Sequence, residues 1–322
     1  MIRTRLPTLF FVMFLMIVTP LTPMASAVEA RTENLTAFIN WENKISGITI
    51  ADHGQNNGWV GSTLANNGNY TTGLYYDGEG HSAITFDDID GEMHFVYTDY
   101  TSNHLMYDRP LCSNCNSFIL DNISGGGEKV SIAVDSSANV HISYHSSIDS
   151  SLKYVMIPYG AAPYIPVTLD DSGAVGYHNS ITVDSSDNVH ISYYSYSGGD
   201  LKYITRGPTG SWSAPITIPD PASGDHVGEY SSIVADSIGG IHISYHSQTT
   251  GDLLYTYCNS NSSTCTISTS WSTPEILDIT TDHCRHISIA VDSVNTLHIS
   301  FQQGNGDLAY VSKTSSGMWS NP

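Results

Sequence analysis

The sequence predicts an all-β fold, a β-propeller of four-stranded blades, on three observations. A unit of about fifty residues returns five times, each unit divides into short strands separated by turn residues, and no stretch between units has helical periodicity or the composition of a linker. The repeats begin at Ile84, Ile132, Ile181, Ile233 and Ile289. Their aspartates, Asp87, Asp135, Asp184, Asp236 and Asp292, lie 48, 49, 52 and 56 residues apart, a spacing that suits one blade per repeat.

Each strand of the unit has its own signal. The first, of the SIAVD type, is short and rich in β-branched residues. A turn of the Asp-Ser-Ser-Ala-Asn type follows, and the second strand, VHISY, alternates apolar and polar residues with period two. The third runs through Leu152-Lys153-Tyr154, Leu201-Lys202-Tyr203, Leu253-Leu254-Tyr255 and Leu308-Ala309-Tyr310. The fourth opens with tryptophan and proline, as at Trp212 to Pro215, Trp271 to Pro274 and Trp319 to Pro322. Proline is tolerated at a sheet edge, so this strand belongs outermost.

Five blades are expected, or six if N-terminal strands close the ring. The last unit stops where its outer strand begins, while Trp59 to Leu64 reads as an outer strand without a blade. That segment would complete blade five and remove an exposed edge. Residues 35–50 would instead add strands toward a sixth blade, and a fragment of a longer gene is the third reading. The expected division is a signal peptide over 1–27, a lead-in segment over 28–57, and a single propeller domain over 58–322.

The signal peptide is read from Arg3 and Arg5, the apolar run Leu9 to Val18, and the small residues Ala25-Ser26-Ala27 before a cleavage site. The expected location is outside the cytoplasm: secreted, periplasmic or on the cell surface. No later stretch has the roughly 20 apolar residues of a membrane helix, so no membrane span is expected. Cleavage removes two of 11 basic residues and none of the 31 acidic ones, so 9 minus 31 leaves a charge of −22. Such an excess disfavours nucleic acid as a partner and favours solubility.

The unit SIAVDSSANVHISYHSSIDSSLKY resembles the repeats of NHL-like and BNR, sialidase-like, propellers of secreted bacterial and archaeal proteins, from about Gly80 to Pro322. The resemblance implies the propeller architecture. It does not carry sialidase chemistry over, because no Ser-x-Asp-x-Gly-x-Thr-Trp box is present, and the mature chain has only Arg31, Arg109, Arg206 and Arg285.

Two polar patterns recur. The first pairs an aspartate with a histidine six residues later: Asp88 with His94, Asp135 with His141, Asp184 with His190, Asp236 with His242, and Asp292 with His298. A catalytic pair is needed once, whereas this pair occurs in every unit, so it reads as a turn-stabilising hydrogen bond. The second pattern lies six residues before each aspartate and varies: His81, Lys129, His178, Tyr230 and His286. These positions open the inner strands and are expected to converge at one end of the axis, with Tyr177 and Arg285 at the rim. Such a set suits saccharide stacking and hydrogen bonding. It also contains the base, acid and carboxylate neutraliser that an acidic polysaccharide would need for proton abstraction. If these side chains scatter over different faces, the per-blade clefts near Tyr144, Tyr193 and Tyr245 are the alternative site.

Five cysteines in an exported chain point to disulfides, Cys258 with Cys265 and Cys112 with Cys115. Cys284 is left over. His283, Cys284 and His286 have metal-ligand side chains without a recognised zinc spacing, so a buried thiol is the reading and no metal is assigned. Asp88, Asp90 and Glu92 form part of a calcium loop, which leaves calcium as the one cofactor open.

The expected function is non-catalytic recognition of an extracellular glycan or cell-surface partner, because no complete catalytic constellation assembles. The alternatives are a polysaccharide lyase or glycoside hydrolase using the axial ring, and a protein-binding scaffold.

Overall fold

The computed structural model describes residues 82–321, apart from 88, 90, 100–101, 110–116, 123–128, 209, 222–223, 260–264, 279–283 and 315–316, together with five backbone strands between 28 and 75. The chain divides into two compact units, residues 1–80 with 110–115, and 81–109 with 116–322.

In the first unit β1 (Val28–Arg31), β2 (Asn34–Ala37), β3 (Ile48–Ala51), β4 (Val60–Leu64) and β5 (Thr72–Tyr75) form one antiparallel sheet in chain order. The segment expected to complete blade five therefore pairs elsewhere. Val60–Leu64 lies between β3 and β5, with Ile48 opposite Leu64 and Val60 opposite Tyr75.

The second unit holds five successive antiparallel sheets, the blades of a propeller. Blade one is β6 (Ser82–Phe86), β7 (Met93–Asp99), β8 (His104–Asp108) and β9 (Phe118–Asn122). Blade two is β10 (Val130–Val134), β11 (Val140–Ser146), β12 (Ser151–Ile157) and β13 (Val167–Asp170). Blade three is β14 (Val175–Val183), β15 (Val189–Ser195), β16 (Asp200–Arg206) and β17 (Ile216–Thr217). Blade four is β18 (Val227–Ala235), β19 (Ile241–Ser247), β20 (Leu253–Cys258) and β21 (Glu275–Asp278). Blade five is β22 (Arg285–Val291), β23 (Leu297–Gln302) and β24 (Leu308–Lys313), with a single bridge from Lys313 to Trp319 in the outermost place. The only helical segment among the described residues is one 3-10 turn, Ser268–Ser270.

Why these residues form blades follows from burial. Each second strand of the middle blades is covered on both faces by neighbouring blades, so every residue of β11, β15 and β19 is buried, the serines and histidines included. The polar half of the VHISY alternation is therefore inside, and its groups must find partners there. They find them in adjacent blades: the Ser143 hydroxyl donates to Asn179 Oδ1 at 2.7 Å, and Ser192 and Ser231 share a hydrogen bond at 3.0 Å. Backbone amides join the inner strands in the same way, Ile181 to Ser131, Ile233 to Ser180 and Ile289 to Ser232. β23 differs, alternating buried and half-buried residues. The disulfide Cys258–Cys265 closes a loop of blade four, and Cys284 is buried. Cys112 and Cys115 lie outside the described residues.

Candidate functional site

Each blade has two ends of different chemistry. At one end the aspartate organises the hairpin between the first two strands. In blade two, Asp135 Oδ1 accepts the amides of Ser137 and Asn139, while Oδ2 accepts Asn139 Nδ2 at 2.8 Å and His141 Nε2 at 3.2 Å. Because an ionised carboxylate only accepts, His141 Nε2 carries the proton and Nδ1 accepts the Tyr154 hydroxyl at 2.6 Å. The same chain of bonds recurs as Asp87–His94–Tyr107, Asp184–His190–Tyr203, Asp236–His242–Tyr255 and Asp292–His298–Tyr310. In blade one the partner of His94 is Asp87 at 2.9 Å, not Asp88 as the six-residue spacing suggested. That hairpin carries one more residue between the partners, and Asp88 itself lies outside the described residues.

The tyrosine was not recognised from the sequence, although it stands thirteen residues after the histidine in four blades. Its outer neighbour was also missed. The tryptophan of the following blade packs edge-on against it, Trp212 on Tyr154, Trp271 on Tyr203 and Trp319 on Tyr255, each with ring centroids 4.9 Å apart. This end is therefore a packed, satisfied network. Burial alone would raise the Asp135 pKa, but the hydrogen bonds from His141 and Asn139 bring it down to about 2.

The other end carries the varied positions. Lys129 Nζ lies 4.4 Å from the centroid of the Tyr230 ring, and Tyr230 lies 4.4 Å from His178 and 5.5 Å from His286. Four side chains from four successive blades thus meet, centred on Tyr230. His81 lies outside the described residues. Arg285 is exposed beside His286, opposite Gln302 on the neighbouring strand. Tyr177 stacks on the buried His145 at 4.0 Å and approaches Tyr196 at 6.0 Å. His286 is exposed and Cys284 is buried two residues away, while His283 lies outside the described residues.

The backbone explains the convergence. All four residues have left-handed φ: 61° for Lys129, 49° for His178, 54° for Tyr230 and 50° for His286. A non-glycine residue reaches this region at a cost, and persists there only where the surroundings impose it. β14 and β18 each slip register twice on entering the sheet, which re-aims their side chains toward the axis. Gly176 and Gly228 allow this because a Cβ at either would meet the backbone of Leu152 or Leu201, at 2.9 and 2.8 Å. The following residue holds the preceding blade: Asn179 Nδ2 donates to the Lys129 carbonyl at 2.7 Å, and the Ser231 hydroxyl to that of His178 at 2.7 Å. The recurring glycine two residues before the ring position was the sequence signal for this bulge.

A second set of buried side chains supports the first. His246 Nδ1 lies 3.4 Å from the Glu229 carboxylate, and its ring lies 6.1 Å from Tyr230. The cluster therefore offers aromatic faces, imidazoles and an ammonium group together, a surface able to stack on a ring and to hydrogen-bond its hydroxyls.

No protein-family model and no curated protein matches this sequence. Solved structures are similar in fold. A lectin from Burkholderia pseudomallei is 12% identical with a TM-score of 0.60, over 90% of this chain and 80% of its own. A variant of AofleA from Arthrobotrys oligospora is 13% identical with a TM-score of 0.53, over 89% and 80%. A mutant of the Aleuria aurantia lectin, in complex with alpha-methyl-L-fucoside, is 12% identical with a TM-score of 0.51, over 90% and 91%.

Proposed function

We propose that this protein is an exported carbohydrate-recognition propeller that binds glycan at the axial cluster of Lys129, His178, Tyr230 and His286 without chemical turnover. The observation that carries this reading is the meeting of side chains from four blades at one point. Left-handed residues occur at both ends of these blades, at Ala138, Asp187 and Asn295 in the hairpins as at the four axial positions, but at the hairpin end the polar groups close on one another, whereas the axial side chains are brought together around Tyr230. The occurrence of glycan-binding proteins among chains of the same fold supports it.

Tyr230 supplies the stacking face and the imidazoles supply hydrogen bonds. Lys129 and Arg285 favour a saccharide bearing a carboxylate or sulfate, despite the acidic character of the chain. The test is a glycan array with the intact protein, followed by calorimetry on the strongest hit with Tyr230→Ala and His178→Ala. Binding should be saturable in the wild type and at least tenfold weaker in each variant. A flat array, or unchanged affinity in both variants, overturns the reading. Release of unsaturated uronate products from an acidic polysaccharide would replace it with the lyase reading.

A further inference from the structure

Two interfaces between blades place a tyrosine of the second strand against an acid near the end of the outer strand of the preceding blade. In both a lysine completes the arrangement. Tyr144 donates to Asp121 Oδ2 at 2.6 Å, and Lys153 Nζ lies 3.6 Å from that oxygen and 3.2 Å from Asp149. Tyr193 donates to Asp170 Oδ2 at 2.8 Å, and Lys202 Nζ donates to the same oxygen at 2.6 Å and to Ser172 Oγ at 3.1 Å. These lysines stand directly across the sheet from their tyrosines.

Between blades three and four the same register places Leu254 opposite Tyr245. Tyr245 is wholly buried, and its hydroxyl has no hydrogen-bond partner among the described residues. The acid whose charge reaches Tyr245 is Asp220, and its buried Oδ1 also has no partner. The charges reaching Asp220 are those of two further carboxylates, Asp200 and Asp225. Burial and these like charges push its pKa up to about 6. Here a buried carboxylate oxygen and a buried phenol each lack a partner among the described residues, at an interface whose two siblings hold an ammonium group. Leaving both unsatisfied is unfavourable.

We infer that the interface between blades three and four is a binding site for the primary ammonium group of an external ligand, held by Asp220 and the Tyr245 hydroxyl in the place that Lys153 and Lys202 occupy within the chain. Asp220 and Asp225 are half-buried and His226 is exposed, so the acidic edge of this interface reaches solvent, with the Tyr245 hydroxyl and Asp220 Oδ1 buried beneath it. An ammonium group accepts no hydrogen bonds and donates three, which matches one carboxylate, one hydroxyl oxygen and one further acid. An amino sugar with a free amine and a lysine side chain share this chemistry. The site is independent of the axial cluster.

The test is a chemical-shift titration of the intact protein at pH 7 with methylammonium chloride, against potassium chloride at equal ionic strength. Leu254→Lys and Asp220→Asn serve as variants. Saturable shifts of the Tyr245 ring should appear with methylammonium and not with potassium. They should vanish in Leu254→Lys, whose own ammonium fills the site, and weaken at least tenfold in Asp220→Asn. Glucosamine binding without N-acetylglucosamine binding would assign a sugar source, and Nα-acetyl-lysine amide binding alone a peptide one, and either supports the site. Equal shifts with potassium, no saturation, or unchanged binding in both variants overturn it and leave a bridging water only. If Leu254→Lys fails to fold, Asp220→Asn alone decides.

Discussion

The two ends of a blade are built from the same strands and behave oppositely. At the hairpin end, aspartate, histidine and tyrosine form the same three-membered chain in all five blades, and in three of them a tryptophan of the next blade closes over it. At the axial end the residue type changes from lysine to histidine to tyrosine while the strained backbone is kept. Constancy of side chain marks the end that holds the fold together. The axial end, where the converging side chain varies, is the end proposed to meet a ligand.

The largest effect that would break this comparison is a stability difference of the wrong sign between two histidines of blade three. His190 is wholly buried, and its loss leaves both Asp184 and Tyr203 without their partner. His190→Ala should cost about 2 to 4 kcal/mol in denaturant unfolding. His178→Ala should cost under about 1 kcal/mol. His178→Gly should raise stability relative to His178→Ala by about 1 kcal/mol, because glycine tolerates the left-handed backbone. Equal losses for His190→Ala and His178→Ala would remove the distinction.

Acid and base dependence sharpens it further, since carboxylates at the two ends are shifted in opposite directions. Asp135 is held down to about 2 by hydrogen bonds that outweigh its burial, so its contribution is present above the unfolded pKa near 4 and is lost as pH falls toward 2. Asp220 is pushed up to about 6. It holds a proton in the folded chain that the unfolded chain has released, so stability falls as pH rises from about 4 through 6. Asp220→Asn should match the wild type at pH 4 and exceed it at pH 7. The gain should be about 1 kcal/mol, well below the full shift because the group is half-exposed to water. A gain of the same size at both pH values would show that the effect is not electrostatic.

The smallest effect concerns the fifth blade. His298 and Asp292 are 3.5 Å apart with exposed side chains, and among the described residues no tryptophan packs on Tyr310. His298→Ala should leave the melting temperature unchanged within error. A loss comparable with that of His190→Ala would mean that the covering tryptophan and burial do not set the strength of the network.

Much of this was legible in the repeat. The alternation in VHISY identified the second strand, and the aspartate–histidine spacing identified the contact across its hairpin, because six residues around a tight turn bring those side chains together whatever surrounds them. The offset of Lys129, His178, Tyr230 and His286 from their aspartates was also visible. The bulge that aims them was not read, although glycine at 176 and 228 announced it. Two features needed their neighbours to be understood. Trp59 to Leu64 resembled the outer strands in composition, but composition does not choose a partner, and β4 pairs within its own sheet. Leu254 looked like an ordinary third-strand residue, and its importance lies in the lysine it replaces.

By itself, then, the sequence determined the blade, its strands and its hairpin network, all of which depend on residues within about twenty positions of one another. Only the tertiary structure decided which blades touch. The tryptophan over three of the tyrosines and the meeting of four axial side chains each join different blades, tens of residues apart in the chain, and the buried Asp220 Oδ1 and Tyr245 hydroxyl lack partners at another such junction. Periodicity along a strand specifies which face a side chain takes, but the occupant of the facing blade is set by packing, which no local pattern encodes.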